Sequence, residues 1–252
     1  MGPDAQTERE KYLRREVLRY LGMGTSDPET VDPRILDGIE AALAELRRRT
    51  RPRFLHKICP LDFQGESEEL LSFGEMFSVK SRSLQVNLRD CSEAVLFAAT
   101  LGAEADQLIR RASSRDISQG LIMEAAATAL IEDFCDGCQM EIEEEMNRQG
   151  KTLRPRFSPG YGDFDIAHQK DMIRLLDTPR QLGVSLTEGG MLAPSKSVTA
   201  VMGAAPWEEE TAGSQSDGSG ENGKKVSGKR QRCHIHGCEA CGKKDCLYRR
   251  NK

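Results

Sequence analysis

Apolar residues recur at helical spacing over much of this chain and alternate over one stretch near its first third. From Glu8 to Leu21, Tyr12, Val17, Leu18 and Leu21 fall near one face of a helix, and Gly22-Met23-Gly24 ends it. Asp32 followed by Pro33 marks a second start, since an aspartate side chain caps N–H groups and proline suits a first helical turn. Ile35, Ile39, Ala42, Leu43 and Leu46 form the stripe of this helix. Arg47 to Arg49 suit its C-terminal end, where unpaired carbonyls favour cations. Residues 53 to 90 alternate instead, and Phe54 to Ile58, Phe77 to Val79 and Leu84 to Leu88 read as strands. An apolar run, Ala94 to Thr100, leads through Leu101-Gly102 into a helix from about Ala103 to Ala112. The longest helical signal spans Asp116 to Asn147, with Ile117, Leu121, Ala125, Ala129 and the Phe134/Cys138 pair as its expected buried stripe. Gly150 closes it. Residues 182 to 203 read as two strands joined around Gly189-Gly190.

Beyond about Glu208 the pattern stops. Gly, Ser, Glu and Lys dominate to Gly228, and such a segment buries too little surface to offset its ordering entropy. The expected organisation is an N-terminal helical segment (1–52), a main domain (53–206), a flexible linker (207–230) and a short Cys-rich basic tail (231–252). Hydrophobic residues make up 38% of the chain and aromatics 5%, enough for one core but lean for 252 residues. No run approaches the ~20 apolar residues that span a bilayer, and the polar N-terminus lacks a signal-peptide core. No membrane partner and a cytoplasmic location are therefore expected. Net charge is −4, unevenly spread: residues 221–252 hold ten Lys or Arg against three Asp or Glu, which leaves −11 on the first 220. A basic tail on an acidic body suits docking to a charged protein. Without interleaved aromatics it argues against nucleic acid.

Cys233, Cys238, Cys241 and Cys246 have the pattern C-x4-C-x2-C-x4-C, with His234 and His236 between the first two. Disulfides are rare in reducing compartments, so this density points to a metal. Zinc takes four thiolates, or three and an imidazole. The C-x4-C-x2-C order is also one iron–sulfur spacing. Redox-active thiols without metal and unliganded cysteines are the other readings of the cluster. The Cys135/Cys138 pair has C-x2-C spacing too, but inside the long helix, where buried packing is expected.

The stretch Arg156-Phe157-Ser158-Pro159-Gly160-Tyr161-Gly162-Asp163-Phe164 fits neither a helix nor a central strand. It reads as an ordered loop, with Arg156 placed to hold a carboxylate through two parallel hydrogen bonds. Arg-x-x-Pro-Gly-Tyr resembles the S-adenosylmethionine-binding loop of the activation domain of cobalamin-dependent methionine synthase. Met172 to Leu176 falls where that family has a short helix. Gly183-Val-Ser-Leu-Thr-Glu188 resembles its Gly-x-x-Leu-Thr-Glu strand, and Pro194 to Val198 its Pro-x-x-Ser-Val segment. Leu130-Ile-Glu132-Asp-Phe134 resembles its long helix. The resemblance covers roughly residues 85 to 203 and is nearest to short, free-standing activation proteins.

This resemblance implies an α+β fold: a twisted, mostly antiparallel sheet packed with helices, one of them long. It implies reductive remethylation of a corrinoid whose cobalt has been oxidised to Co(II). S-adenosylmethionine is the methyl donor, cobalamin sits on the partner, and flavodoxin or ferredoxin supplies an electron. The partner is then the cobalamin-binding domain of methionine synthase or another corrinoid protein. Arg156 matches the arginine that holds the cofactor's carboxylate, Pro159 and Gly160 shape the loop, and Tyr161 lies beside the ligand. Glu132 matches the helix glutamate facing the cofactor, and Glu188 a strand glutamate. Two family features are missing: a tyrosine on a further strand after Gly203, and an aspartate near the domain start. They support an alternative, a non-catalytic docking or sensor protein that binds S-adenosylmethionine or a corrinoid protein and carries a metal-binding tail.

Overall fold

A computed structural model describes residues 3–24, 31–64 and 70–207. Two helices come first, α1 (Pro3–Tyr20) and α2 (Pro33–Arg49). Asp32 caps α2, its side chain accepting from the Arg34 N–H at 2.9 Å, and Pro33 occupies the first turn. Strands β1 (Arg53–Gln64), β2 (Leu70–Phe73) and β3 (Phe77–Lys80) follow, then α3 (Arg82–Asn87) and β4 (Glu93–Thr100). Next come α4 (Ala103–Arg115), α5 (Ile117–Arg148) and β5 (Lys151–Leu153). After a long loop the chain forms α6 (Gln169–Leu175), α7 (Thr178–Gln181), a hairpin of β6 (Ser185–Leu186) and β7 (Leu192–Ala193), and β8 (Ser197–Pro206).

The main sheet has six strands in the order β3-β2-β1-β4-β8-β5, every neighbouring pair antiparallel. Successive side chains of a strand point to opposite faces, and β4 uses both. Val95, Phe97 and Ala99 face one core with α1, α2, α4 and α5. Ala94, Leu96 and Ala98 face a second core holding Leu84 and Leu88, Phe164 and the α6 residues Met172 and Ile173. Burial on both faces explains why Ala94 to Thr100 reads as an unbroken apolar run. Ala200, Met202 and Ala204 of β8 join the first core, and Val201 and Ala205 the second.

Three sequence expectations need correction. Leu84 to Leu88 is not a strand: Arg82–Asn87 is helical because Ser81 caps it, its hydroxyl accepting from the Leu84 N–H at 3.0 Å. Residues 182 to 203 do not form two long strands. The hairpin around Gly189-Gly190 is two residues per arm, and the sheet strand begins only at Ser197. Ile117 and Leu121 are 77% and 60% exposed, whereas Gly120, Ile122 and Met123 of the same turns are buried. The inward face of α5 begins one position off the expected stripe because its first turns pack on α4, where Gly120 lies against Ser113. Further along, Ala125, Ala129 and Cys138 are buried as expected, whereas Phe134 is half-buried at the edge of the first core.

No helix among the described residues is long and apolar enough to cross a membrane. The linker beyond Glu208 and the tail lie outside the described residues.

Candidate functional site

The loop after β5 is built as an extension of the sheet. The Arg154 N–H donates to Gly203 O at 2.8 Å, and Phe157 exchanges two hydrogen bonds of 2.8 Å with Val201 of β8. Side chains alternate along this extended stretch. Phe157 packs against the second core, while its neighbour Arg156 turns to α5. There the Arg156 Nη1–H donates to Gln139 Oε1 at 2.9 Å. Its Nη2–H donates to Asp136 Oδ1 at 2.7 Å, with Glu132 Oε2 at 3.5 Å. Residues 132, 136 and 139 are spaced i, i+4 and i+7, one face of the helix.

The arginine side chain is only 14% exposed, against 32% for Glu132 and 41% for Asp136. Burial works against its charge, and the Asp136 and Glu132 carboxylates beside it outweigh that, so its pKa lies above the ordinary value. A fixed cation therefore sits at the rim, with two partly open carboxylates beside it.

From Pro159 the chain folds back on itself. Tyr161 N–H donates to Ser158 O at 3.1 Å, Gly160 N–H to Phe164 O at 2.7 Å, and Phe164 N–H to Tyr161 O at 2.9 Å. Gly160 and Gly162 have φ of +95° and +55°, conformations that L side chains rarely adopt. Phe164 anchors the far end: it is 1% exposed and lies with its ring centroid 6.4 Å from Phe157 and 5.7 Å from His168. Pro159 is buried, Gly160 is exposed, and the Tyr161 ring is 59% exposed, edge-on to Phe157.

Asp163 ties this turn to α3. Its Oδ1 accepts from the Ser81 hydroxyl at 2.6 Å and the Ser83 N–H at 2.9 Å, and its Oδ2 from the Arg82 N–H at 2.8 Å. The Ser81 hydroxyl, with these N–H groups, holds the carboxyl well below the usual range.

The structure thus brings Arg156 and Glu132 into contact and places Pro159, Gly160 and Tyr161 on the same loop. Glu188 is exposed in the turn between β6 and β7 and shares no hydrogen bond or ion pair with the Arg156 group. Sequence reasoning missed Asp136, Gln139 and Asp163. The helical spacing from Glu132 pointed to the first two, and a carboxylate directly after a Gly-Tyr-Gly turn to the third. Two clefts, of about 290 Å³ beside Tyr20, Leu21 and Leu121 and about 400 Å³ beside Arg9, Arg47 and Phe134, are lined by none of the predicted site residues.

Cys135 and Cys138 are buried in α5 as free thiols. Burial pushes the Cys135 thiol up strongly and that of Cys138 to about 11, which keeps both protonated. No cluster of potential metal ligands occurs among the described residues. Cys233, Cys238, Cys241 and Cys246, with His234 and His236, lie outside them.

A six-stranded antiparallel sheet packed by helices, one of them long and acidic, with a glycine-turned arginine loop beside it, makes this an α+β fold. Residues 87–210, just under half of the chain, match the family described as vitamin B12 dependent methionine synthase, activation domain. The chain resembles that domain. Its fold is similar to the MetH reactivation domain bound to AdoHcy, with a TM-score of 0.54 and 18% identity over 69% of this chain. The match spans 65% of that domain, short of two thirds, and at this identity it shows the fold. No curated protein matches the chain.

Proposed function

We propose that this chain is a stand-alone activation protein for cobalamin-dependent methionine synthase and binds S-adenosylmethionine at the Arg156 loop. The carrying observation is the pairing of Arg156 with Glu132 beside the Pro159-Gly160-Tyr161 turn, within the family-matched segment. A ligand α-carboxylate has the chemistry of Asp136 and takes its place on the guanidinium, while Gln139 keeps the arginine oriented. Glu132 then faces the positive sulfonium and ammonium groups. Tyr161 offers an exposed aromatic ring. When bound, the cofactor supplies a methyl group to corrinoid cobalt after one-electron reduction. The protein contributes position and electrostatics. The partner in this reading is a cobalamin-binding domain, and flavodoxin or ferredoxin is the electron donor. The tail cysteines carry zinc or an iron–sulfur cluster, and the protein works in the cytoplasm.

Calorimetry with S-adenosylmethionine on the wild-type chain and on Arg156→Ala tests the site. Loss of a charge-assisted bidentate contact weakens binding by about 2 kcal/mol, roughly 30-fold. Absence of binding by the wild type, with and without a corrinoid protein, overturns the reading. Glu188 is exposed and makes no hydrogen bond with Arg156, and Glu188→Gln is expected to leave binding unchanged. A second reading, a docking or sensor protein without methyl transfer, rests on the resting occupancy of Arg156 by Asp136. Binding of S-adenosylmethionine with no methylation of reduced cobalamin favours it.

A further inference from the structure

We propose that Asp163 is a positioning residue for the ligand loop: clipped to the start of α3, it sets the Gly160–Gly162 turn and so the placement of Tyr161. The inference rests on reading the loop as the S-adenosylmethionine site. Its geometry is independent of that reading.

Tyr161 meets Phe157 edge-on, and the turn is otherwise exposed. Between buried Pro159 and buried Phe164 stand four residues, all exposed. Two of them are glycines at positive φ, which cost the most entropy to order. The Gly160 and Phe164 amides close the turn on itself, but these bonds do not fix it relative to the rest of the protein. The Asp163 carboxylate does, through the Ser81 hydroxyl and the N–H groups of Arg82 and Ser83. The approach is close enough that a Cβ on Gly162 would stand 2.7 Å from Ser83 Oγ and 2.9 Å from Ser83 Cβ. Ser81 is itself fixed: it is 1% exposed and caps α3. The clip thus transfers the rigidity of the second core, through Leu84 and Leu88, to the four exposed residues between Pro159 and Phe164. A binding residue is precise only when its support is held in this way.

The two oxygens have different tasks, and that yields graded variants. Oδ1 serves Ser81 and Ser83, and Oδ2 serves Arg82. Asp163→Asn keeps an oxygen for Ser81 and Ser83 and loses the Arg82 contact. Asp163→Ala loses all three. Ile39→Val, in the first core on α2, lowers stability without touching the loop and serves as the control.

S-adenosylmethionine affinity and backbone amide hydrogen exchange are measured on all four proteins below their unfolding transitions. Asp163→Ala is expected to weaken binding about tenfold and to speed exchange at Gly160 and Phe164. Asp163→Asn should fall between it and the wild type, and Ile39→Val should bind normally. Unchanged affinity in Asp163→Ala overturns the proposal, as does an equal loss in Ile39→Val. Weakened binding with unchanged exchange also overturns it, because Asp163 would then act on the ligand directly. A wild type that binds nothing defeats the ligand reading, and exchange alone then decides: faster exchange in Asp163→Ala keeps the ordering role, and unchanged exchange removes it.

Discussion

At the scale of the residue, the main result is that Arg156 is already engaged. An arginine waiting for a carboxylate in an open groove would lose side-chain entropy on capture. Here Gln139 and Asp136 hold the guanidinium in place beforehand, so its ordering does not oppose binding. The same contact makes Asp136 a competitor. Asp136→Asn removes the competing charge and leaves the amide able to hold the arginine weakly. S-adenosylmethionine should then bind a few-fold tighter, while the melting temperature falls by about 2–4 °C, as expected for breaking a half-exposed ion pair. Calorimetry and thermal unfolding of one protein batch check both signs. Weaker binding in Asp136→Asn would mean that Asp136 supports the site instead of competing for it. Arg156 and Glu132 were legible in the sequence because a motif names them. Their mutual contact was not, since it depends on the register between α5 and an extended segment 24 residues further on.

At the scale of the element, what the sequence hides is short or capped. The stripe of α5 from Ala125 onward is visible because it repeats over many turns of a 32-residue helix, about 48 Å long. Strands β2 and β5, with four and three residues, are too short to show alternation. Helix α3 was misread because Leu84, Val86 and Leu88 alternate as in a strand, and a six-residue helix never completes two turns. What decides its form is the cap at Ser81 and the carboxylate of Asp163 arriving from 80 residues away. That arrival has a pH signature. Asp163 has a depressed pKa in the folded chain, so its stabilisation is fully present above the unfolded value near 3.9 and fades as pH falls below it. The melting-temperature gap between wild type and Asp163→Asn should be constant from about pH 7 to 5 and narrow below about pH 4. A gap that stays constant into acid would show that the clip carries no charge-dependent stabilisation.

At the scale of the whole molecule, charge and thiols divide the same way. The first 220 residues carry −11 and the last 32 carry +7. The eight cysteines split into four in the body and four in the tail. Cys59, Cys91, Cys135 and Cys138 are all buried. Burial raises each thiol pKa, Cys59 and Cys138 to about 11. Thiolates are the reactive form, so at pH 8 none of these four should react with a disulfide reagent until the protein unfolds. Any fast reaction must come from the tail, which makes a thiol count a direct probe of Cys233, Cys238, Cys241 and Cys246. With a metal bound there, native protein reconstituted with zinc, or with iron and sulfide, should show almost no fast thiols. A chelator should release four, and replacing the four tail cysteines with serine should abolish both the bound metal and the released thiols. Four fast thiols after reconstitution, with no metal retained, would remove the metal from the proposed function. If the tail holds an iron–sulfur cluster that delivers electrons, which zinc cannot do, the serine variant should bind S-adenosylmethionine normally yet fail in corrinoid reactivation with a physiological donor. Because the ligand loop is built wholly from the body, normal reactivation by that variant would separate the tail from the chemistry while leaving the Arg156 site intact.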